Sequence, residues 1–266
     1  MEQTKNFVSI GAGNVATHLV KALCNKGYHL NQVYSRTLGS AKALADLHDA
    51  EYTNSPNEII TCAGFYLVSV PDQVLPTILN SIEIHDQLIF HTAGSCGLEV
   101  FGKKFMHFGV LYPLQTFSKN VSLNISKDPI LIEASDNTSL QGIEHIARTI
   151  SEKVFVTDSE TRRWIHLAAV FACNFTNHML VLSDGILHKK QLDPTLLQAL
   201  IKETFRKSLE MDPAEVQTGP AVRDDTITID KHIKMLEDQP LLQKIYTFTS
   251  ESIRKTKSSR ENKSGK

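Results

Sequence analysis

The first half of the chain alternates short apolar runs with segments whose apolar residues recur at helical spacing. Residues 7–10 form such a run, GAGNVA follows at 11–16, and helical spacing continues over 18–23. Buried runs separated by helical segments are typical of a parallel sheet covered by helices. Further strands are predicted at 32–34, 65–70, 87–91, 108–111, 130–133 and 154–156, and further helices at 40–47 and 139–151.

From residue 159 onward, long helical patterns replace this alternation. Helices are predicted over 161–186, from Asp193 with Pro194 to about 211, over 228–236 and over 240–253. The predicted fold is therefore α/β: a Rossmann-type, doubly wound, mostly parallel sheet followed by an all-helical C-terminal domain. We expect a nucleotide-binding domain over 1–157, a helical dimerisation and substrate domain over 158–254, and a disordered basic tail over 255–266.

Charge and composition exclude several classes of protein. The chain has 28 Lys and Arg against 29 Asp and Glu, and the last thirteen residues hold six of these bases with one acid, which leaves the body at −6. Such a body would repel a phosphate backbone, so no nucleic-acid partner is expected. The four cysteines are far apart, which argues against a metal site. The apolar stretch over 164–175 is short for a bilayer, so we expect a cytoplasmic protein without a membrane segment.

GAGNVA has the G-x-G-x-x-A form of a dinucleotide-binding turn. Gly11 would permit the tight turn, Gly13 would let the backbone approach a diphosphate, and Ala16 would let the helix pack closely on the strand. Asn14 and Val15 begin the helix, whose free N–H groups favour an anion. The motif alone also fits an ordinary strand-to-helix turn, but its flanking elements favour nucleotide binding.

The end of the second predicted strand distinguishes NAD from NADP. An Asp or Glu that would accept a hydrogen bond from the ribose 2′-hydroxyl is missing there. Ser35, Arg36 and Thr37 instead offer two hydroxyls and a guanidinium, which suit a 2′-phosphate. The predicted cofactor is NADP, and the alternative is that Arg36 is an ordinary surface arginine.

Two later strand ends should line the same crevice, because ligands of open α/β sheets bind beyond the carboxyl ends of the strands. Val70 and Pro71, followed by Asp72, close one predicted strand, and Thr92 and Ala93 follow another. His91 fits either a direct role or a core histidine.

Several segments together resemble a family of two-domain NADP oxidoreductases, in which a Rossmann-like domain precedes a helical domain of formerly unknown function. That group is related to pyrroline-5-carboxylate reductases and 3-hydroxyacid dehydrogenases. The resemblance covers about residues 5–250 and implies a helical second domain, similar to the C-terminal domain of 6-phosphogluconate dehydrogenase, that forms a homodimer. The segments are GAGNVATHL (11–19), SVPD (69–72), HTAGS (91–95), GVLYPLQTF (109–117), IHLAAVFACNF (165–175) and TGPAVRDD (218–225).

The catalytic residues do not follow directly from the resemblance. The 3-hydroxyacid dehydrogenases carry a Lys one turn before an Asn that Asn174 matches, but Val170 stands where the Lys would be. Spacings of four place His166, Val170, Asn174 and His178 along one helix face, so either His is a candidate proton donor. The same face also fits a dimer core with internal hydrogen bonds. Gln115 is either a substrate-positioning residue or a loop-stabilising one.

These features predict an NADP(H)-dependent oxidoreductase that transfers hydride to or from a small carbonyl or imine compound in an interdomain cleft. The alternative is a sensor or scaffold protein that binds NADP without turnover, which the Val170 difference favours. A deazaflavin-linked oxidoreductase is a third possibility that rests on fold analogy alone.

Overall fold

The computed structural model describes residues 5–264 and contains one eight-stranded sheet. Six of the seven predicted strands match the observed strands to within two residues at each end, and the second begins three residues earlier than expected. The short edge strand β3 was not predicted, because its three residues form no apolar run. The strands are β1 (Asn6–Ile10), β2 (His29–Tyr34), β3 (Glu51–Thr53), β4 (Phe65–Val68), β5 (Leu88–His91), β6 (Phe108–Pro113), β7 (Ile130–Ala134) and β8 (Val154–Val156).

The strand order is β3-β2-β1-β4-β5-β6-β7-β8. All neighbours are parallel except β6 and β7, which are antiparallel. From β1 the chain builds outward through β2 and β3, then returns to place β4 on the other side of β1. The predicted doubly wound, mostly parallel sheet is therefore confirmed, and its switch point lies between β1 and β4. A ligand crevice is expected at that point, beyond the carboxyl ends of the two strands.

Helices cover both faces of the sheet because the strands are apolar on both faces. In β4, Phe65 and Leu67 pack into the core on one face and Tyr66 and Val68 into the core on the other. The helices are α1 (Asn14–Cys24), α2 (Leu38–Ala45), α3 (Leu75–Ser81), α4 (Asn137–Ile150), α5 (Ser159–Ala169), α6 (Thr176–Lys189), α7 (Gln198–Glu210), α8 (Thr226–Met235) and α9 (Pro240–Ser264).

The chain divides into two compact units at 175/176, whereas the sequence places a domain boundary at 157/158. The first unit holds the sheet together with α5 and the π-helical segment Val170–Phe175. The second unit is helical, and the predicted all-helical C-terminal region is confirmed. Within it, His232 Nδ1 lies 2.8 Å from the Tyr246 hydroxyl, a contact between α8 and α9.

One expectation about the C-terminal half differs from the structure. The segment 255–264, expected to be disordered, is the continuation of α9, and Arg260 within it pairs with Asp212 at 2.9 Å. The continuous helix Ser159–Lys189 is long and apolar enough to cross a membrane by length and composition alone. Arg162 in this helix is fully buried and paired with Glu133 of β7, so the start of the helix belongs to the α/β unit.

Candidate functional site

The glycine turn joins three strands at the switch point. Gly11 has a φ of +118°, and a Cβ built on it would lie 2.1 Å from the carbonyl oxygen of Ser69. Its N–H donates to the carbonyl of Tyr34 at 2.8 Å. Only glycine fits here, because the backbone is left-handed and the chain after β4 passes within contact distance. The turn is therefore tight for the reason that the sequence motif predicts.

The next part of the turn is open. A Cβ on Gly13 would meet nothing within 4 Å. Gly13 is the N-cap of α1, no side chain caps this helix, and its first turn holds no acidic residue. The first N–H groups of the helix therefore keep their partial positive charge for a ligand. An open glycine before uncapped N–H groups fits the diphosphate of a dinucleotide.

The residues beyond β2 fit a 2′-phosphate. The Ser35 N–H donates to the carbonyl of Thr53 at 3.1 Å, which ties the segment to the sheet edge. Thr37 is the N-cap of α2, whose first turn also lacks an acid. Arg36 is exposed and, among residues 5–264, forms no ion pair or side-chain hydrogen bond. Its guanidinium is free to pair with a phosphate.

A cleft of about 600 Å³ opens at the carboxyl ends of β1, β4, β5 and β6, and all of its lining residues belong to the first unit. Gly11 begins the turn and packs against Ser69, whereas Ser35, Arg36 and Thr37 lie beyond β2 and His178 belongs to the second unit. These five are not in the lining. The lining includes ten of the predicted site residues: Gly13, Asn14, Val15, Val70, Pro71, Thr92, Ala93, Gln115, His166 and Asn174.

The segment after β5 is fixed from several sides. The hydroxyls of Ser69 and Thr92 are 3.0 Å apart, and Ser95 donates to the Asp72 carboxylate. The guanidinium of Arg163 donates to the carbonyl of Ser95 at 3.0 Å. A loop held at this many points is a preorganised wall for a ligand, as a cofactor site requires.

His91 has the role of a core histidine. Its ring is fully buried and stacks on Phe101 at 5.4 Å, and its Nδ1 accepts a hydrogen bond from the Ala93 N–H at 3.1 Å. Burial lowers the pKa of His91 to about 3, and the charge of Arg162 adds to the effect. The imidazole is therefore neutral near pH 7 and orients the Thr92–Ala93 backbone.

Tyr112 is a cleft residue that the sequence did not single out. Its hydroxyl lies 3.0 Å from Nδ1 of His166, so β6 and α5 meet across the cleft wall. Burial raises the pKa of the Tyr112 hydroxyl, and the negative charge of Asp72 raises it further. The one available signal was its position directly before PLQTF, at the end of a predicted strand.

Gly94, in the segment after β5, lets the backbone lie close to Tyr112 and His166. A Cβ on Gly94 would be 2.7 Å from His166 Nδ1 and 2.9 Å from the Tyr112 ring. The glycine lets the backbone contact both rings directly, which fixes their positions.

Gln115 and Asn174 both line the cleft, but Gln115 is bonded to its own loop and Asn174 lies in a π-helical segment. Gln115 Oε1 accepts a hydrogen bond from the Thr116 N–H at 2.7 Å, which is the loop-stabilising interaction considered for it. Asn174 lies in the cleft lining within the π-helical segment, a rare form that occurs often at functional sites. Their catalytic roles, and that of His178, stay predictions.

The charge of the cleft is unusual for a site that binds acids. Among the described residues that line it, Asp72 carries the only formal charge, and neither Lys nor Arg is present. A substrate carboxylate would therefore find no cationic partner in this lining. A cationic substrate group would find Asp72.

Family comparisons agree with this geometry. Residues 7–93 match the family described as NADP oxidoreductase, coenzyme F420-dependent. Residues 128–253 match a domain of unknown function. Among curated proteins, none matches this chain.

Solved structures identify the family. The chain is 44% identical to a putative NADP oxidoreductase from Bacteroides fragilis, with a TM-score of 0.87, over 94% of this chain and 98% of that one. The chain belongs to this family of NADP oxidoreductases, which confirms the resemblance and the predicted cofactor.

More distant structures share the fold. An imine reductase from Myxococcus stipitatus, in complex with NADP⁺, is 13% identical with a TM-score of 0.60, over 96% of this chain and 94% of that one. A 1-pyrroline-5-carboxylate reductase from Streptococcus pyogenes is 12% identical with a TM-score of 0.60, over 94% of this chain and 98% of that one.

Proposed function

We propose that this oxidoreductase uses NADPH to reduce a small compound with a C=N or C=O bond in the cleft beside β4, β5 and β6. Gly13, Asn14 and Val15 would hold the diphosphate on the turn that Gly11 makes possible, and Arg36 with its two hydroxyl neighbours would hold the 2′-phosphate. When bound, the nicotinamide supplies a hydride. The chain's own residues would orient the substrate and move a proton.

The observation that carries the substrate class is the lone charge of Asp72. A neutral imine gains positive charge at its nitrogen as a proton is transferred to it, and a carboxylate in the cleft lining would stabilise that charge. A 2-oxo acid carries a negative charge, which Asp72 would repel and which no cation of the described lining would offset. We therefore favour a C=N substrate without a carboxylate over an oxo acid. The imine reductase among the structural neighbours supports a C=N substrate.

The test is NADPH oxidation with a matched panel: a cyclic imine, the same ring bearing a carboxylate, a 2-oxo acid and an aldehyde. We expect the cyclic imine without a carboxylate to have the highest kcat/KM of the panel. Asp72→Asn should lower kcat/KM for the imine by about tenfold or more and leave that for the aldehyde nearly unchanged. A preference for the oxo acid would contradict the proposal. Tight NADPH binding without turnover of any compound would favour the sensor alternative.

We further propose a homodimer that buries the apolar face of the helix Ser159–Lys189. Trp164 is 66% exposed, Phe171 is 63% exposed and Phe175 is 47% exposed, an unusual face for a helix in water. Sedimentation should give a dimer, and Trp164→Glu with Phe171→Glu should give a monomer. Flotation of the wild-type protein with lipid vesicles would instead favour a membrane contact.

A further inference from the structure

The cleft contains one hydroxyl and one imidazole in direct contact, and both face the region where a substrate would bind. Tyr112 lies on β6 and His166 on α5, and their polar atoms are 3.0 Å apart. Both side chains are partly buried and line the cleft. The rings meet edge to face with centroids 5.8 Å apart, and Gly94 packs against them. Neither element can shift without breaking these contacts.

We propose that Tyr112 is the proton donor of the reduction and that His166 restores its proton, an inference that rests on the proposed function. Tyr112 Oη accepts a hydrogen bond from the Nδ1–H of His166 and directs its own O–H toward the substrate. His166 takes up its replacement proton at Nε2 from solvent in the cleft. In these terms Tyr112 is a catalytic residue, whereas His166 is a positioning and relay residue.

The step balances without a further reactant. As hydride forms the new C–H bond, the π electron pair of C=N or C=O moves to the heteroatom. That heteroatom forms a bond to the Tyr112 proton as the phenol O–H bond breaks. The Nε2 atom of His166 takes a proton from solvent as Nδ1 gives its proton to the phenolate, so the imidazole stays neutral, and proton exchange with solvent then restores the Nδ1–H form. The net change is reduction of the double bond by one hydride and one proton.

The surroundings of Tyr112 keep it protonated and ready to donate. The other ionisable groups around it are Asp72, Arg162 and Cys173. Burial and the Asp72 charge raise the pKa of Tyr112, and the Arg162 charge lowers it. The transient phenolate would be stabilised by the Nδ1–H of His166, which is the task of a positioned hydrogen-bond donor.

A quaternary iminium ion is a substrate that distinguishes proton donation from a structural role of Tyr112. Its reduction requires a hydride and no proton, so a variant that lacks only the proton donor should still reduce it. Tyr112→Phe keeps the ring but removes the hydroxyl. We expect it to lower turnover of an aldehyde or neutral imine by about 100-fold or more and to leave turnover of the quaternary iminium within about threefold. NADPH binding by fluorescence titration should be unchanged. Tyr52→Phe, at an exposed position outside the cleft, is the matched control.

Equal losses on both probes, or no loss on either, would overturn the inference. Failure of the proposed function would look different, since the wild-type protein would then reduce neither probe. A substrate-independent measurement covers that case: ¹⁵N NMR of the histidines, assigned with His166→Asn, reports the tautomer of His166. We expect the Nδ1–H form at neutral pH, changed by Tyr112→Phe. An Nε2–H form, with Tyr112 donating to the ring, would overturn the relay.

Discussion

A Cβ atom built on Gly11 would lie only 2.1 Å from the carbonyl oxygen of Ser69, which is too close for any side chain. This contact joins the turn after β1 to the end of β4, the two strands that flank the switch point of the sheet. Gly13, two residues later, faces open space. One glycine of the motif therefore serves the fold, and the other leaves open space at the start of α1, where we propose that the diphosphate binds.

Substitutions at the two glycines should separate these roles. Gly11→Ala should destabilise the protein by about 3 kcal/mol or more, because the strand ends must move apart and the backbone is strained. Gly13→Val should leave the unfolding midpoint nearly unchanged and weaken NADPH binding at least tenfold, because its side chain enters the diphosphate cradle. Urea unfolding and nucleotide titration of the same samples measure both. Gly39→Ala, in open space within α2, is the control. Normal stability of Gly11→Ala would contradict this division.

Arg36 should determine the preference for NADPH over NADH. A charge-assisted contact to phosphate contributes about 1.5–3 kcal/mol, so Arg36→Gln should raise the Kd for NADPH by about one to two decades. The Kd for NADH, which lacks the 2′-phosphate, should change little. Isothermal titration with both nucleotides tests this. An equal loss for both would indicate a structural role for Arg36.

His91 should make the stability depend on pH in a defined window. Its folded pKa of about 3 lies below the ordinary value of 6.5, so the unfolded chain binds more protons between these values. The His91 contribution is constant above about pH 7, and stability is lost as the pH falls toward 3. By pH 5 the loss from this group should be about 2 kcal/mol.

The variant His91→Phe keeps a ring next to Phe101 and removes the titrating group. Its urea midpoint should be lower at pH 7, because the Ala93 N–H loses its acceptor, but should fall less between pH 7 and pH 5 than that of the wild type. Parallel pH dependence in the two proteins would contradict the assignment of the titration to His91.

The buried pair of Arg162 and Glu133 should stabilise the first unit. Arg162 is fully buried, and it also donates to the carbonyl of Cys96 after β5. Glu133→Gln should cost about 3 kcal/mol, because it leaves a buried guanidinium without a counter-charge. The double variant Arg162→Met with Glu133→Gln should be more stable than Glu133→Gln alone. Thermal unfolding measures the three proteins, and a smaller stability for the double variant would contradict this.

The sequence predicts the strand, turn and helix at 6–24 well because these elements have strong local signals. The turn at 11–16 combines a buried strand, two glycines and a helix, and each has a mechanical reason in the structure. Ser35, Arg36 and Thr37 follow from their position after β2. Local patterns suffice where neighbouring residues of one segment determine the conformation.

The part of the cleft formed by β6 and α5 depends on contacts between distant segments, which local patterns do not show. Tyr112 and His166 are 54 residues apart in sequence, and only the packing of α5 on the end of β6 brings them together. The π-helical segment Val170–Phe175 also alters the regular spacing of four on which the predicted face of His166, Asn174 and His178 was based. The helix α3 was missed for a local reason, since Pro76 in its first turn also fits a loop.

Titration of the purified wild-type protein with NADPH and NADH, at one salt concentration, tests the central claim most directly. The expected result is NADPH bound at least ten times more tightly than NADH, with most of the difference lost in Arg36→Gln. Tighter binding of NADH, or no binding of either nucleotide, would contradict the account.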